Sequence, residues 1–333
     1  MHTPDSRPLL RVGALTCTPA DGHVNGVWAP LLNPIDGRPP RAAMRFTHVW
    51  DPDREQAERF AAQYGLVVVE HYADLAGKVD GVILGNQHEV AVFKHLLRPY
   101  LEAGMPVFVN RPFAANLKDA GEIVELAARH GAPLMTGSSF EYVKEAEIVR
   151  QQVRAGGQIR GYLVDNGAAE YAWHGIHGLL FAYACVGGGV RRVAHLRPDR
   201  EDPNGVGLIV LEHEGRDGGA PFYGCIQPTG SQAWIKVYTE GGSIEQKLWP
   251  EGSAWDRDSF LWLPLLLRMQ EMFASRTLPE PYESIYEKTH IFLAGFKSGL
   301  ERGGAPVALS EVGDWTSPPL APSRLAGMKL DRG

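Results

Sequence analysis

Two hydrophobic periodicities alternate along the first part of the chain. Small apolar residues over Leu9–Cys17, and apolar runs over Phe46–Trp50, Val79–Leu84, Pro106–Val109 and Pro133–Thr136, predict buried strands, with a short β-branched piece at Val67–Glu70. Between them the spacing turns helical. Arg54–Tyr64 puts Ala57, Phe60, Ala61 and Tyr64 on one face, Val90–Ala103 stops at Gly104, and Leu117–His130 stops at Gly131. Strands that alternate with helices in this way predict an α/β fold, with a Rossmann-type doubly wound parallel sheet over residues 1–138.

The pattern changes after about Ser139. Glu141–Ala155 and His177–Val186 read as helices, the first ending at Gly156-Gly157 and the second at Gly187-Gly188-Gly189, with a strand at Ile159–Asn166 between them. Leu208–His213, Phe222–Gln227, Ala233–Thr239 and Ser243–Leu248 are strands joined by Gly/Asp turns, and Trp262–Ser275 and Tyr286–Arg302 return to helix. Residues 139–333 are therefore expected to form an α+β domain on a large, mostly antiparallel open sheet.

Composition narrows the classes. The chain has 333 residues, room for two ordinary domains, and its 44% hydrophobic and 22% charged content is that of a globular protein. A formal net charge of −6 argues against nucleic acid as a partner. Cys17, Cys185 and Cys225 form no zinc or disulfide spacing, which suggests a reducing compartment. Met1–Leu10 lacks a signal-peptide core, and the apolar run at Phe260–Leu267 is short and holds Pro264. A soluble cytoplasmic protein with no membrane partner is expected.

The chemistry-bearing residues cluster at strand ends. Val107–Pro112 delivers Asn110-Arg111-Pro112 where an open α/β sheet places its site. Asp51 ends the second strand, where a carboxylate can bond both ribose hydroxyls of an adenosine; the other reading is a cap for the following helix. Gly22 and Gly26 can open the helix Val27–Leu32 onto an anion, or be ordinary turn glycines. Glu170, His174 and His177 share one helical face, but the tighter spacing of metalloprotease ligands is missing, so no metal is expected.

The Asp80–Ala114 block and the Trp173-His174-Gly175-Ile176-His177 stretch, followed by a helix to Gly189, resemble the Gfo/Idh/MocA family of nicotinamide-dependent sugar oxidoreductases. The resemblance runs from Leu9 to about Leu309. It implies NAD as coenzyme, with the acid at Asp51 disfavouring NADP, and hydride transfer on a sugar, cyclitol or related polyol. The family usually reads Glu-Lys-Pro where this chain has Asn110-Arg111-Pro112. Arg111 does not titrate near neutrality, so it is expected to orient or polarise a substrate, an acidic one included. The family's Asp-x-Gly-x-His is matched at Gly175 and His177, with Trp173 in the Asp place. His177 is thus the expected proton acceptor and donor, with a free pKa of about 6.5; a capping or packing histidine is the alternative.

His174, Tyr142, Tyr171 and Glu170 are expected to line the substrate. Thr16 and Thr18 occupy the family's two glycine places after strand one, and with His23, Asp51, Asn86, His88 and Asn110 they form the expected coenzyme site. The departures at Thr16, Thr18, Arg111 and Trp173 leave two further readings. One is a non-redox lyase, isomerase or hydrolase with NAD as internal relay or absent, and the other is a catalytically silent binding protein. By family analogy the open sheet implies a homodimer or homotetramer.

Overall fold

The structure, a computed structural model, describes residues 9–17, 22–85, 89–166, 171–197, 207–215, 218–227, 233–248 and 257–320. The first sheet is built from β1 (Leu10–Leu15), β2 (Met44–Trp50), β3 (Val67–Val68), β4 (Gly81–Leu84), β5 (Val107–Asn110) and β6 (Leu134–Gly137). All its pairings are parallel, in the order β3-β2-β1-β4-β5-β6. Strands β4, β5 and β6 are buried at every residue. Such apolar runs suit a sheet covered on both faces.

The covering helices are α1 (Ala29–Leu32), α2 (Arg54–Tyr64), α3 (Phe93–Glu102) and α4 (Leu117–His130). Their ends follow from local chemistry. Asp53 accepts the Gln56 amide at 3.1 Å to start α2, and Gly65 ends it in the left-handed region at φ 70°. Asn116 and Gly131 do the same for α4. The helix expected at Val27–Leu32 begins earlier, as one π-type turn over His23–Trp28 that runs into α1.

The second sheet holds β7 (Ile159–Asp165), β8 (Val190–Leu196), β9 (Leu208–His213), β10 (Phe222–Gln227), β11 (Trp234–Thr239), β12 (Gly242–Lys247) and β13 (Val307–Ala308). Their order is β12-β11-β7-β10-β9-β8-β13, antiparallel except for β7 beside β10. Helices α5 (Lys144–Ala155), α6 (Ile176–Val186), α7 (Arg257–Ser275) and α8 (Tyr282–Glu301) complete the chain. Among the described residues no helix is long and apolar enough to cross a membrane.

Helices α7 and α8 pack against the first sheet's layer, and α8 ties it to the second sheet. From α7, Phe273 packs so closely on Gly81 of β4 that a Cβ there would lie 2.6 Å from its ring. Helix α8 packs against both α4 and β8. The C-terminal ends of β5 and β6 thereby face the first turn of α6 and the middle of α8, which is where the polar side chains converge.

Candidate active site at the ends of the parallel strands

The strand order reverses direction at β1 and β4, so a crevice is expected beyond their C-terminal ends. Asn110 closes β5 beside it. Its amide donates to the Gly85 carbonyl at 3.3 Å, its Oδ1 accepts the Arg111 amide at 3.1 Å, and its Nδ2 lies 3.2 Å from His23 Nδ1. Arg111, the next residue, is buried and turns its guanidinium toward α6. Its Nη2 donates to Nε2 of His177 at 2.8 Å. The sequence elements carrying Arg111 and His177 are thus joined at atomic contact, across 66 positions of chain.

The imidazole of His177 is enclosed on every side. Ser138 Oγ contacts its Nδ1, the Phe140 ring stacks on it at 5.0 Å, and the His174 ring centroid is 6.1 Å away. Burial first, then the charge of Arg111 and the neighbours His23 and His174, hold its pKa well below the ordinary histidine value. That corrects the expectation of a base near 6.5. His23 is held low in the same way, by burial and then Arg111, and its ring lies between Trp28 at 5.5 Å and Trp262 of α7 at 4.5 Å.

Behind Ser138 lies a buried cluster of charges. Lys288 of α8 places Nζ 3.0 Å from Glu141 Oε1 and 2.8 Å from Glu280 Oε1. Glu141 in turn accepts the Ser138 amide at 2.7 Å. Ser138, Lys288 and Glu280 were not singled out in the sequence. The Ser-x-x-Glu spacing of Ser138 and Glu141, a capping-box signature, was the one available signal. Beyond Glu141 and Tyr142 a cleft of about 670 Å³ opens between α5, the end of α6 and Glu280. Tyr142 lines this cleft, and burial followed by the Glu141 charge holds its hydroxyl well above its ordinary pKa.

The coenzyme residues fare unevenly. Thr16 adopts φ 69°, a conformation usually left to glycine, and its Oγ1 is buried with no hydrogen-bond partner among the described residues. Gly85, opposite, has no room for a Cβ, which would fall 2.7 Å from the Thr16 carbonyl oxygen and against Val24. The helical stretch from His23 starts at Gly22 with no side-chain cap, leaving amide donors at its entrance. Asp51 is buried and tied to the first turn: Oδ2 accepts the Cys17 amide at 2.9 Å and Gln56 Nε2 at 3.2 Å, and Oδ1 accepts the Asp53 amide at 3.0 Å. A ribose diol would share this carboxylate with those donors. An uncapped helix start, an unsatisfied hydroxyl and a glycine at the point of closest approach fit a dinucleotide in the crevice, with Asp51 as the tether of its turn.

Thr18, Asn86, His88 and Glu170 lie outside the described residues, as does the Trp173 side chain. His174 flanks His177, and its carbonyl accepts from Asn166. Tyr171 is not in the cleft expected for it. Its ring is stacked on His195, Phe292 and Phe296, and its hydroxyl donates to the Phe292 carbonyl at 2.7 Å inside the core. Among the described residues no three His, Cys, Asp or Glu side chains are grouped to hold a metal ion.

Comparison with known proteins agrees with this geometry. Residues 27–138 match the family described as "Oxidoreductase family, NAD-binding Rossmann fold", GFO_IDH_MocA. Over 128 residues the chain is 31% identical to a Salmonella typhimurium protein described as an oxidoreductase, YceM; the match spans 38% of each chain. A dehydrogenase of Thermotoga maritima superposes with a TM-score of 0.72 at 18% identity, over 91% of this chain and 100% of the other. The myo-inositol dehydrogenase of Lactobacillus casei, solved with NAD(H) and myo-inositol, gives 0.73 at 13% identity, over 95% and 99%. The family match thus falls on the part of the chain that builds the parallel sheet, and the solved structures share the fold of both sheets.

Proposed function

We propose that this protein is an NAD(P)-dependent oxidoreductase that acts on a carbinol of a sugar, cyclitol or related polyol. The observation that carries the reading is the buried 2.8 Å contact between Arg111 Nη2 and His177 Nε2 just beyond the C-terminal end of β5. The inositol dehydrogenases among the proteins of similar fold support a polyol as substrate class.

When bound, the nicotinamide would accept or supply the hydride. The amides at the start of the His23 helix, Thr16, Asp51 and Asn110 would hold the coenzyme. The proton is the task of His177. A substrate hydroxyl that takes the place of the Arg111 N–H at Nε2 can give its proton to that lone pair as the C–H bond breaks. Arg111 is always protonated, so it then faces the substrate oxygen and stabilises negative charge on it. Moving the guanidinium off Nε2 also makes the imidazole a stronger base at the moment it is needed.

A non-redox reaction on the same scaffold is the second reading. It is favoured by Arg111, which cannot exchange a proton as a lysine there could. A titration with NADH and NADPH, read by nicotinamide fluorescence, separates the two. Saturable binding that weakens in Asp51→Ala supports the oxidoreductase. No binding at millimolar coenzyme would remove hydride transfer from consideration. Assembly is proposed too: Leu163, Tyr223 and Tyr238 are exposed on strands of the second sheet, which favours a homodimer or homotetramer, measurable by light scattering.

A further inference from the structure

Ser138 follows β6 directly and precedes the short helical turn Ser139–Glu141. It is buried, and its Oγ meets two N–H-bearing neighbours, the Phe140 amide at 3.1 Å and Nδ1 of His177. On the opposite edge of the imidazole stands Arg111 Nη2, 2.8 Å from Nε2. A guanidinium has only donors, and it is not deprotonated in a protein. Nε2 is therefore the accepting nitrogen and carries no proton. A neutral imidazole has one N–H, so here it is on Nδ1 and points at the Ser138 oxygen. The reverse arrangement, with Ser138 donating to Nδ1, would set an Nε2–H against an Arg111 N–H.

We infer that Ser138 is the positioning residue of His177: as an acceptor for both N–H groups, its oxygen fixes the Nδ1–H tautomer and aims the Nε2 lone pair at Arg111 and the substrate beyond it. Two contacts make this placement firm. The Ser138 backbone is anchored by Glu141, which accepts its amide at 2.7 Å and is itself held by Lys288 from α8. The Phe140 ring, inclined at 27° to the imidazole, limits rotation of the histidine. The logic is that of any catalytic histidine whose far nitrogen is bonded to set which near nitrogen does the chemistry. The purpose of the lone pair rests on the oxidoreductase reading; the tautomer does not.

The test uses the full chain, labelled with ¹⁵N-histidine and free of coenzyme, so that a failure to bind NADH leaves it untouched. Long-range ¹H–¹⁵N correlation at neutral pH, with His177 assigned by its loss in His177→Gln, reads the protonation of each ring nitrogen. Wild type is expected to show a proton on Nδ1 and a bare Nε2. Ser138→Ala is expected to speed solvent exchange of that proton by about tenfold, the factor that one lost hydrogen bond is worth. Ser138→Thr, which keeps the hydroxyl, is expected to retain the wild-type signature. A proton on Nε2 in wild type would overturn the assignment, and so would unchanged shifts and exchange in Ser138→Ala. Should the alanine variant not fold, the wild-type spectrum and the threonine variant decide: loss of the Nδ1–H form in either refutes the role.

Discussion

Lys288 Nζ sits 3.0 Å from Glu141 Oε1, joining a helix near the end of the chain to the turn after β6, 147 positions earlier. Both side chains are almost wholly buried, and the same ammonium also bonds Glu280 at 2.8 and 2.9 Å. Burial works against the lysine cation, yet the two carboxylates outweigh it and hold its pKa well above the ordinary range. Burial, opposed by Lys288 and assisted by Glu280, pushes the Glu141 carboxyl up to about 7. Removing the shared cation leaves the buried Glu141 carboxylate facing that of Glu280 at the cleft with no counter-charge between them. Lys288→Met is therefore expected to lose about 3–5 kcal/mol of stability, the range for breaking a buried ion pair from one side. Urea unfolding at neutral pH measures it. A variant as stable as wild type would mean that the cluster does not hold α8 to the first sheet.

Stability should fall on the acid side of neutrality, and the sign follows from three histidines. His23 and His177 are held well below their ordinary value by burial and then by Arg111, and His195 is brought to about 4 by burial and then by Arg197. In the unfolded chain each has a pKa near 6.5. Between that value and the folded one the unfolded state binds more protons, so each contribution is whole above about 6.5 and is lost as pH falls. One such group gives a slope of about 1.4 kcal/mol per pH unit. Glu141, raised to about 7, and Glu145, raised by burial, work in the opposite sense, but His48 and His290, both lowered by burial, add to the three histidines. Denaturant midpoints taken from pH 7.5 down to about pH 5 should decrease steadily; a flat profile over that interval would contradict the burial of these rings as neutral species.

Tyr171 separates packing from chemistry. Its hydroxyl bonds the Phe292 carbonyl at 2.7 Å, and its ring is stacked among His195, Phe292 and Phe296. Tyr171→Phe keeps the stack and leaves one buried carbonyl without this donor. A loss of about 1–3 kcal/mol is expected, with NADH affinity unchanged. Stability equal to wild type together with weakened coenzyme binding would return Tyr171 to the cleft.

Periodicity made the fold legible. The runs over Val79–Leu84 and Pro133–Thr136 are continuous because both faces of the parallel sheet are covered, and α4 has the bounds its Asn116 and Gly131 dictate. Arg111 could be singled out because it follows a strand end, whereas His177 stood out through the resemblance of Gly175 and His177 to the family's Asp-x-Gly-x-His, since a helix start alone fits a capping histidine as well. Ser138 and Lys288 could not. Ser138 matters through a contact 39 residues away, and Lys288 stands on an otherwise ordinary amphipathic helix whose partner is 147 residues off. Tyr171 was misplaced because nearness in sequence to His174 and His177 says nothing about which side of the chain faces the core. The Asp51 carboxylate was foreseen at the end of β2, but its bond to the Cys17 amide depends on the backbone path of the first turn, which side-chain patterning does not encode.

The tightness of that first turn can be tested with two glycines. Gly85 ends its strand against the Thr16 carbonyl oxygen and Val24, and an added Cβ would lie 2.7 Å from that oxygen. A backbone atom cannot step aside as a side-chain tip can, so Gly85→Ala must displace the Thr16 turn. Gly121, inside α4, has no heavy atom nearer its Cβ position than Tyr286 at 3.8 Å. There the methyl meets only an ordinary van der Waals contact, and reducing the freedom of the unfolded chain should stabilise Gly121→Ala by about 0.4–1 kcal/mol. Gly85→Ala is expected to cost about 1–3 kcal/mol by overpacking and, because it moves the turn tethered by Asp51, to weaken NADH binding as well. Thermal melts and the fluorescence titration on both variants read the contrast. If the two alanines behaved alike in both measurements, the close approach of β1 and β4 at the crevice would not be what shapes the coenzyme's turn.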